Sequence, residues 1–429
     1  MKKLLLSLFF LCLCLFSCTD NSREMPLVVE EENPYYLSIE KAKQEVEDII
    51  AARALTRSGY FEPTRKIASI WTAKNPSTRS GLEPEQEEVY IMNFEDSAGF
   101  AIISSDNRIG LMGLALQGSL NQGDVIEDPG FGMTLSNLYS LSYYADSSDV
   151  GDDQYDVLYG DWSETFYEPS YGYCPVKWGQ GAPYWRYCYT TEGLRAVTGC
   201  AATAVAQLMS IYKYPTSYQQ YSFNWDEMIA DPYYADSTGS NPVARLMSLL
   251  GTPNNLNVAY GVDSSSTDIL NIPRTFENFG YTSGGTVSDY MSSTVISELQ
   301  LGYPILINGY SLKTTTVISY LWGWIITDVN VTYSGGHAWL GHGMLVRTRP
   351  VYHYLGGQYY ATTYENRYYI LCNFGGEGDN DGYYLSSAFN TIIGPSYGDD
   401  YHTRSTSVTT EGAIGDYKYM MQMVTGIRR

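Results

Sequence analysis

Positive charge is scarce in this sequence. Lys and Arg number 26 against 47 Asp and Glu, a formal net charge of −21. No Lys/Arg run occurs, so the clustered cations that a phosphate backbone requires are missing and nucleic acid is excluded as a partner. The excess acid reads as solubility. Long apolar runs are absent beyond the first residues, so nothing further along is built to cross a bilayer. Histidine occurs only four times and cysteine seven. No H-E-x-x-H is present, and the Cys and His are too dispersed for a zinc site, so neither metal nor cofactor is expected. "DSSDVGDD" is acidic but lacks EF-hand spacing. "GPSYG", residues 394–398, fits G-x-S-x-G. Pro395 and the polar stretch behind it deny it the strand–turn–helix setting of a serine nucleophile.

What is present starts with a targeting segment. Lys2 and Lys3 precede the apolar run Leu4–Phe16, which is too short to span a membrane and reads as a signal peptide over 1–17. It ends in "LFSC", which resembles the lipobox of bacterial lipoproteins. That resemblance implies Cys18 as the lipidated first residue of the mature protein, with 18–35 as a polar tether. The chain is then expected to be exported and lipid-anchored at the outer membrane or cell surface of a Gram-negative-type bacterium. It would touch the membrane only through the anchor, with a releasable soluble part. Cys12 and Cys14 leave with the signal. Cys174, Cys188, Cys200 and Cys372 remain, too few and too spread out for a disulfide framework. A Cys174–Cys188 pair is left open.

Length and composition allow two or three domains with a sizeable core: 429 residues, 44% of them hydrophobic. In "YLSIEKAKQEVEDIIAARAL" the apolar Ile39, Ala42, Val46, Ile49 and Ile50 recur at helical spacing. "EEVYIMNF", "GFAIISSD" and "IGLMGLAL" read as strands parted by turn chemistry. Together they make a small α+β unit over 36–150. An acidic, Ser/Gly-rich linker over 151–164 follows, the kind of segment proteases cut. Residues 165–429 form a larger domain that opens with one clear helix and continues β-rich, with abundant Tyr and Gly.

That helix is "TGCAATAVAQLMSIYKYP". Ala201, Ala204, Val205, Leu208 and Tyr212 share a face, Thr198 and Gly199 can cap it, and Pro215 ends it. Cys200 therefore stands in the first turn. There the unpaired N–H groups and the helix dipole favour a negative charge, lower a thiol's pKa and can donate to an oxyanion. A buried structural cysteine needs none of this. A base must accompany a thiolate nucleophile. His337, in "SGGHAWLGHGMLV", follows Cys200 at a separation within the ~130–150 residues of papain-type enzymes. His342 falls on the opposite face of the same strand. His353 and His402 lie in polar, Tyr-rich surroundings.

These segments, with the upstream "WGQGAPY" and the later "CNFGGEGDNDGYYL", resemble the streptopain family of cysteine peptidases, and the first unit resembles that family's propeptide. The resemblance implies an α+β, papain-like fold: a helix carrying the nucleophile, packed on an antiparallel sheet or barrel, preceded by an inhibitory propeptide domain. It implies a secreted cysteine endopeptidase made as a zymogen, with protein or peptide substrates and its own propeptide as intramolecular inhibitor. Carried over by position, Cys200 is the nucleophile and His337 the base. Gln180 donates to the oxyanion, and Asn373 orients His337. Gly336, Trp339, Phe374 and Gly375 would border the substrate cleft. A preference for a bulky apolar side chain upstream of the scissile residue is likewise implied.

The chain departs from the family where two tryptophans of the third motif are Phe374 and Gly376, and where "RTRPVYHYLGGQYYATTYENRYY" reads as an added hairpin. These departures motivate a second reading, a catalytically weak papain-like surface lipoprotein that binds or inhibits proteases.

Overall fold

The first helical pattern folds as α1, Ile39–Ala54, with Ala42, Val46, Ile49 and Ile50 buried. It is followed by β1 (Ile67–Lys74), β2 (Glu88–Phe94), β3 (Phe100–Ser104) and β4 (Leu111–Ala115). The last three are the strands the sequence predicts; β1 is an addition. Helix α2, Pro129–Ala145, starts where Asp128 accepts the Phe131 N–H at 2.8 Å and Pro129 occupies the first turn, a standard N-cap. The computed structural model describes residues 36–54, 65–74, 88–126, 128–145, 155–167, 169–321, 325–389 and 419–429. Cys18, the tether, "GPSYG" and His402 lie outside them. Residues 37–429 form one compact unit.

Part of the expected linker is regular structure: β5 (Tyr155–Tyr159) and β6 (Ser163–Tyr167) pair antiparallel with a later strand. Helix α3, Cys200–Tyr212, is buried from Ala201 to Tyr212, not only along the expected face, because core surrounds it. A short ribbon, β7 (Ser217–Tyr218) and β8 (Tyr221–Ser222), leads to helices α4 (Trp225–Ala230), α5 (Pro242–Leu250) and α6 (Asn271–Asn278). Strand β9 (Ser283–Asp289) and helix α7 (Ser292–Gln300) precede β10 (Ile305–Leu321), β11 (Ile325–Leu355), β12 (Gln358–Asn373), β13 (Gly382–Leu385) and β14 (Tyr419–Arg428). The fold is thus α+β, with the cysteine-bearing helix packed on a large antiparallel sheet.

The sheet runs β1-β2-β3-β4-β13-β12-β11-β10-β14-β9. The small first unit joins the larger one edge to edge, through Gly382↔Ala115, Tyr383↔Leu114 and Tyr384↔Gly113. Strand alternation then sorts two cores. Leu306 and Leu340 point to the side of α3, while Ile307 and Trp339 point to the side of Phe131 from α2. The added hairpin is β11–β12, turning at Gly356 and Gly357, both at positive φ.

A charged knot ties this hairpin to α1. Arg347 and Arg367 face each other across β11–β12, and like charges in that position repel. Glu45 from α1 and Glu164 from β6 pair with Arg347, and Glu365 pairs with both Arg349 and Arg367 at 2.6 Å. The three guanidinium groups lie 4.4–5.0 Å from the Trp162 ring. All three arginines are buried, so each carboxylate removed would leave a charge uncompensated.

Candidate active site

Cys200 opens α3, preceded by Gly199 at φ 87°, ψ 140°. That backbone favours glycine, and a Cβ there would also press on Ser265 at 3.3 Å. No side chain caps this helix. Thr198, expected in that role, turns its hydroxyl to Thr203 Oγ1 at 3.0 Å, so the first-turn N–H groups stay open toward the sulfur. The Ala338 N–H from β11 points at Cys200 Sγ, 3.4 Å away. Register brings this about: β11 runs past the helix N-terminus and presents His337 and Ala338 to it.

His337 is 2% exposed and hydrogen-bonds Cys200. Its Nε2 stands 3.0 Å from the Phe374 carbonyl oxygen and 3.8 Å from Asp128 Oδ1, which leaves Nδ1 for the sulfur. Burial pushes the Cys200 thiol up. The charge and hydrogen bond of His337, with the Ala338 and Ala201 N–H groups, outweigh it, and the net direction is down. For His337 burial pushes down, while Cys200, Asp128 and the Phe374 carbonyl push up and win. The two shifts point to one state, thiolate facing imidazolium.

Asn373 is placed differently from expectation. Its Oδ1 accepts from Gln207 Nε2 at 2.8 Å and from the Gly375 N–H at 3.1 Å, and its Nδ2 donates to the Val176 carbonyl at 3.1 Å. The group on the imidazole is the next residue's carbonyl, because the side-chain amide is spent beneath the strand. Gln180 is half-buried, and its carbonyl accepts the Thr198 N–H at 3.2 Å, tying its loop to the cysteine turn.

Of the expected cleft residues, Gly336 lines open space and the other three do not. Trp339 and Phe374 are 0% and 1% exposed, and Gly375 is buried. Trp339 shares His337's face of the strand and stacks beside it, centroids 6.2 Å apart, with Phe374 packed on the indole at 5.8 Å. Together they wall off the imidazole. The open space is a cavity of about 300 Å³ next to Cys200. Val258, Ile269 and Ile272 give it apolar walls, and Ser265 and Asn308 supply polar ones.

His342 is no second base. It is buried, its Nδ1 accepts the Cys174 N–H at 3.0 Å, and burial, then Arg53, push its pKa down to about 3. Cys174, Cys188 and Cys372 are buried thiols raised by desolvation, the opposite net direction to that of Cys200.

Sequence reasoning missed Asp128, Gly130 and Asp381. Gly130 lies against the imidazole: a Cβ there would fall 2.4 Å from His337 Cδ2 and 2.9 Å from Phe374 Cδ1. The signal available was the "DPG" start of α2, a cap–proline pair that marks a helix beginning but not what the helix covers.

Residues 178–384 match the family described as Peptidase C10. No curated protein matches the chain. Among solved structures, a mutant fragment of prointerpain A from Prevotella intermedia is similar at 18% identity, covering 84% of this chain and 99% of that one, with a TM-score of 0.49. Active wild-type interpain A cysteine protease, also from Prevotella intermedia, is similar at 21% identity, covering 60% of this chain and 94% of that one, with a TM-score of 0.36.

Proposed function

Because residues 178–384 match the Peptidase C10 family, we propose that this chain is a cysteine-type peptidase, a secreted endopeptidase zymogen in which Cys200 is the nucleophile and His337 its partner. The observation that carries this reading is the buried thiol–imidazole contact at the start of α3, beside a cavity of about 300 Å³. Cys200 Sγ, held as thiolate, attacks the peptide carbonyl carbon and the C=O electrons move to oxygen. The Cys200 N–H and the side chain of Gln180 take the oxyanion; one such donor is typically worth about 10²–10³ in rate. His337 gives its proton to the leaving amine, and a thioester remains on the sulfur. Water, deprotonated by the now neutral ring, attacks the thioester carbon; the C–S bond breaks, the carboxylic acid product leaves, and the thiolate–imidazolium pair is restored. The apolar walls of the cavity suit a bulky apolar substrate side chain next to the scissile residue.

Residues 36–150 act as the propeptide in this reading, with 151–164 leading into the catalytic domain of 165–429. The N-terminus of α2, with Asp128 and Gly130 on the imidazole, blocks His337 until the chain is cut. Export and a lipid anchor on Cys18 at a bacterial surface complete the proposal, supported by the N-terminal pattern alone. Incubation of the full chain should release a product whose N-terminus falls between residues 145 and 168 and which degrades casein. Cys200→Ala should do neither; casein turnover by that variant at the wild-type rate would end the mechanism. A cleaved wild type that is stoichiometrically alkylated at Cys200 yet degrades nothing would favour the protease-binding alternative, which the loss of the third-motif tryptophans suggests.

A further inference from the structure

With the Asn373 amide committed elsewhere, the imidazole is held by a backbone carbonyl, and a carbonyl is only as fixed as its peptide. Phe374 is held through the peptides on both sides of it. Its C=O stands 3.0 Å from His337 Nε2, and the N–H of that same peptide, from Gly375, donates to Asn373 Oδ1 at 3.1 Å. The Phe374 N–H, in the preceding peptide, donates to Asp381 Oδ1 at 2.9 Å. Phe374 itself cannot swing, since its ring packs on Trp339 at 5.8 Å and on Tyr384 at 5.6 Å. Asp381 sits at the end of the tight "GEGDND" turn, its N–H donating to the Gly378 carbonyl at 3.2 Å and its own carbonyl accepting the Leu116 N–H at 2.7 Å. It is 9% exposed, an unusual place for a carboxyl, and it accepts a peptide N–H there.

We propose that Asp381 is a positioning residue for His337: its carboxyl oxygen anchors the Phe374 N–H and with it the backbone of Phe374, whose carbonyl in turn sets the angle of the imidazole toward Cys200. The inference rests on Cys200 and His337 being the working pair, and goes beyond it by assigning the orienting task to a carboxyl seven residues away from the expected Asn373–Phe374 corner. Burial pushes the Asp381 carboxyl up to about 8, against the Phe374 N–H and Lys177, with Asp128 and Asp379 adding to the rise. Asparagine is therefore a close substitute at neutral pH, since it keeps one acceptor oxygen and carries no charge.

The test uses the full chain and its self-processed product. Asp381→Ala should lower kcat for a peptide substrate on the order of 10–100-fold, the range a misplaced catalytic group produces, with KM changed less than about two-fold. Asp381→Asn should recover kcat to within about three-fold of wild type. Wild-type kcat in Asp381→Ala, a loss confined to KM, or an Asn variant as poor as the Ala one would each overturn the assignment. A second readout needs no hydrolysis: the rate of Cys200 alkylation at pH 6, where reactivity depends on the imidazolium. Asp381→Ala should slow it roughly ten-fold toward the floor set by His337→Ala, and Asp381→Asn should not. If the wild type fails to cleave peptides but alkylation follows this order, the peptidase mechanism falls and the positioning role stands. If alkylation is indifferent to Asp381, the positioning role falls by itself.

Discussion

Gly130→Ala adds one methyl group to the surface of α2 that covers the active site. Its carbon would lie 2.4 Å from His337 Cδ2, 2.9 Å from Phe374 Cδ1 and 3.0 Å from His337 Nε2. None of these atoms has room to retreat, because Phe374 and Trp339 back the imidazole and are fully buried. Forcing a methyl into such packing costs about 1–3 kcal/mol. Alanine in a helix interior returns about 0.5–1 kcal/mol relative to glycine. The difference, about 0.5–2 kcal/mol, acts on the docking of α2 over His337 and raises the uncovered population by a factor of roughly 2–30. The assay is alkylation of Cys200 in the uncut chain by a small haloacetamide, with the labelled cysteine identified by peptide mapping. Gly132→Ala is the matched control. It makes the same change in the same helix, and its Cβ would meet Ile126 Cγ2 at 3.4 Å, an ordinary contact. Gly130→Ala should react about 2–30-fold faster than wild type, and Gly132→Ala no faster. Equal rates in all three proteins would refute the idea that the start of α2 guards the imidazole.

Two further outcomes are expected. His342 titrates in the unfolded chain near 6.5 and in the folded one near 3. Its contribution to stability is therefore complete above pH 6.5 and drains away as pH falls toward 3. His342→Gln, which keeps an acceptor for the Cys174 N–H, should show a shallower loss of denaturation midpoint between pH 6.5 and 4; an unchanged slope would contradict a buried neutral imidazole. For the N-terminus, cells supplied with a labelled fatty acid should label the wild-type chain and not Cys18→Ser; label retained in that variant would remove Cys18 as the anchor.

Much of the candidate site was readable because its residues stand in local patterns. A cysteine ahead of an alanine-rich helix and a histidine after paired glycines report their own surroundings. The structure brings Cys200 and His337 into direct hydrogen-bond contact. Period-two and period-3.6 runs gave α1 and three of the four first strands for the same reason. Asn373, Trp339 and Gly375 were legible as residues of interest but not in their duties, since whether a side chain faces a neighbour or the core depends on which strands pair and in what register.

By itself the sequence determined the class of chemistry: a scarce set of thiols and imidazoles, one of each in a setting that stabilises a charged pair. Tertiary structure alone decided which oxygen holds the imidazole, which aromatic ring shields it, and that Asp128 and Gly130 from far upstream rest against it. The contacts of Asp128 and Gly130 join residues separated by about half the chain. Local sequence carries no record of such meetings, because they are fixed by sheet order and by the packing of two cores on opposite faces of one sheet.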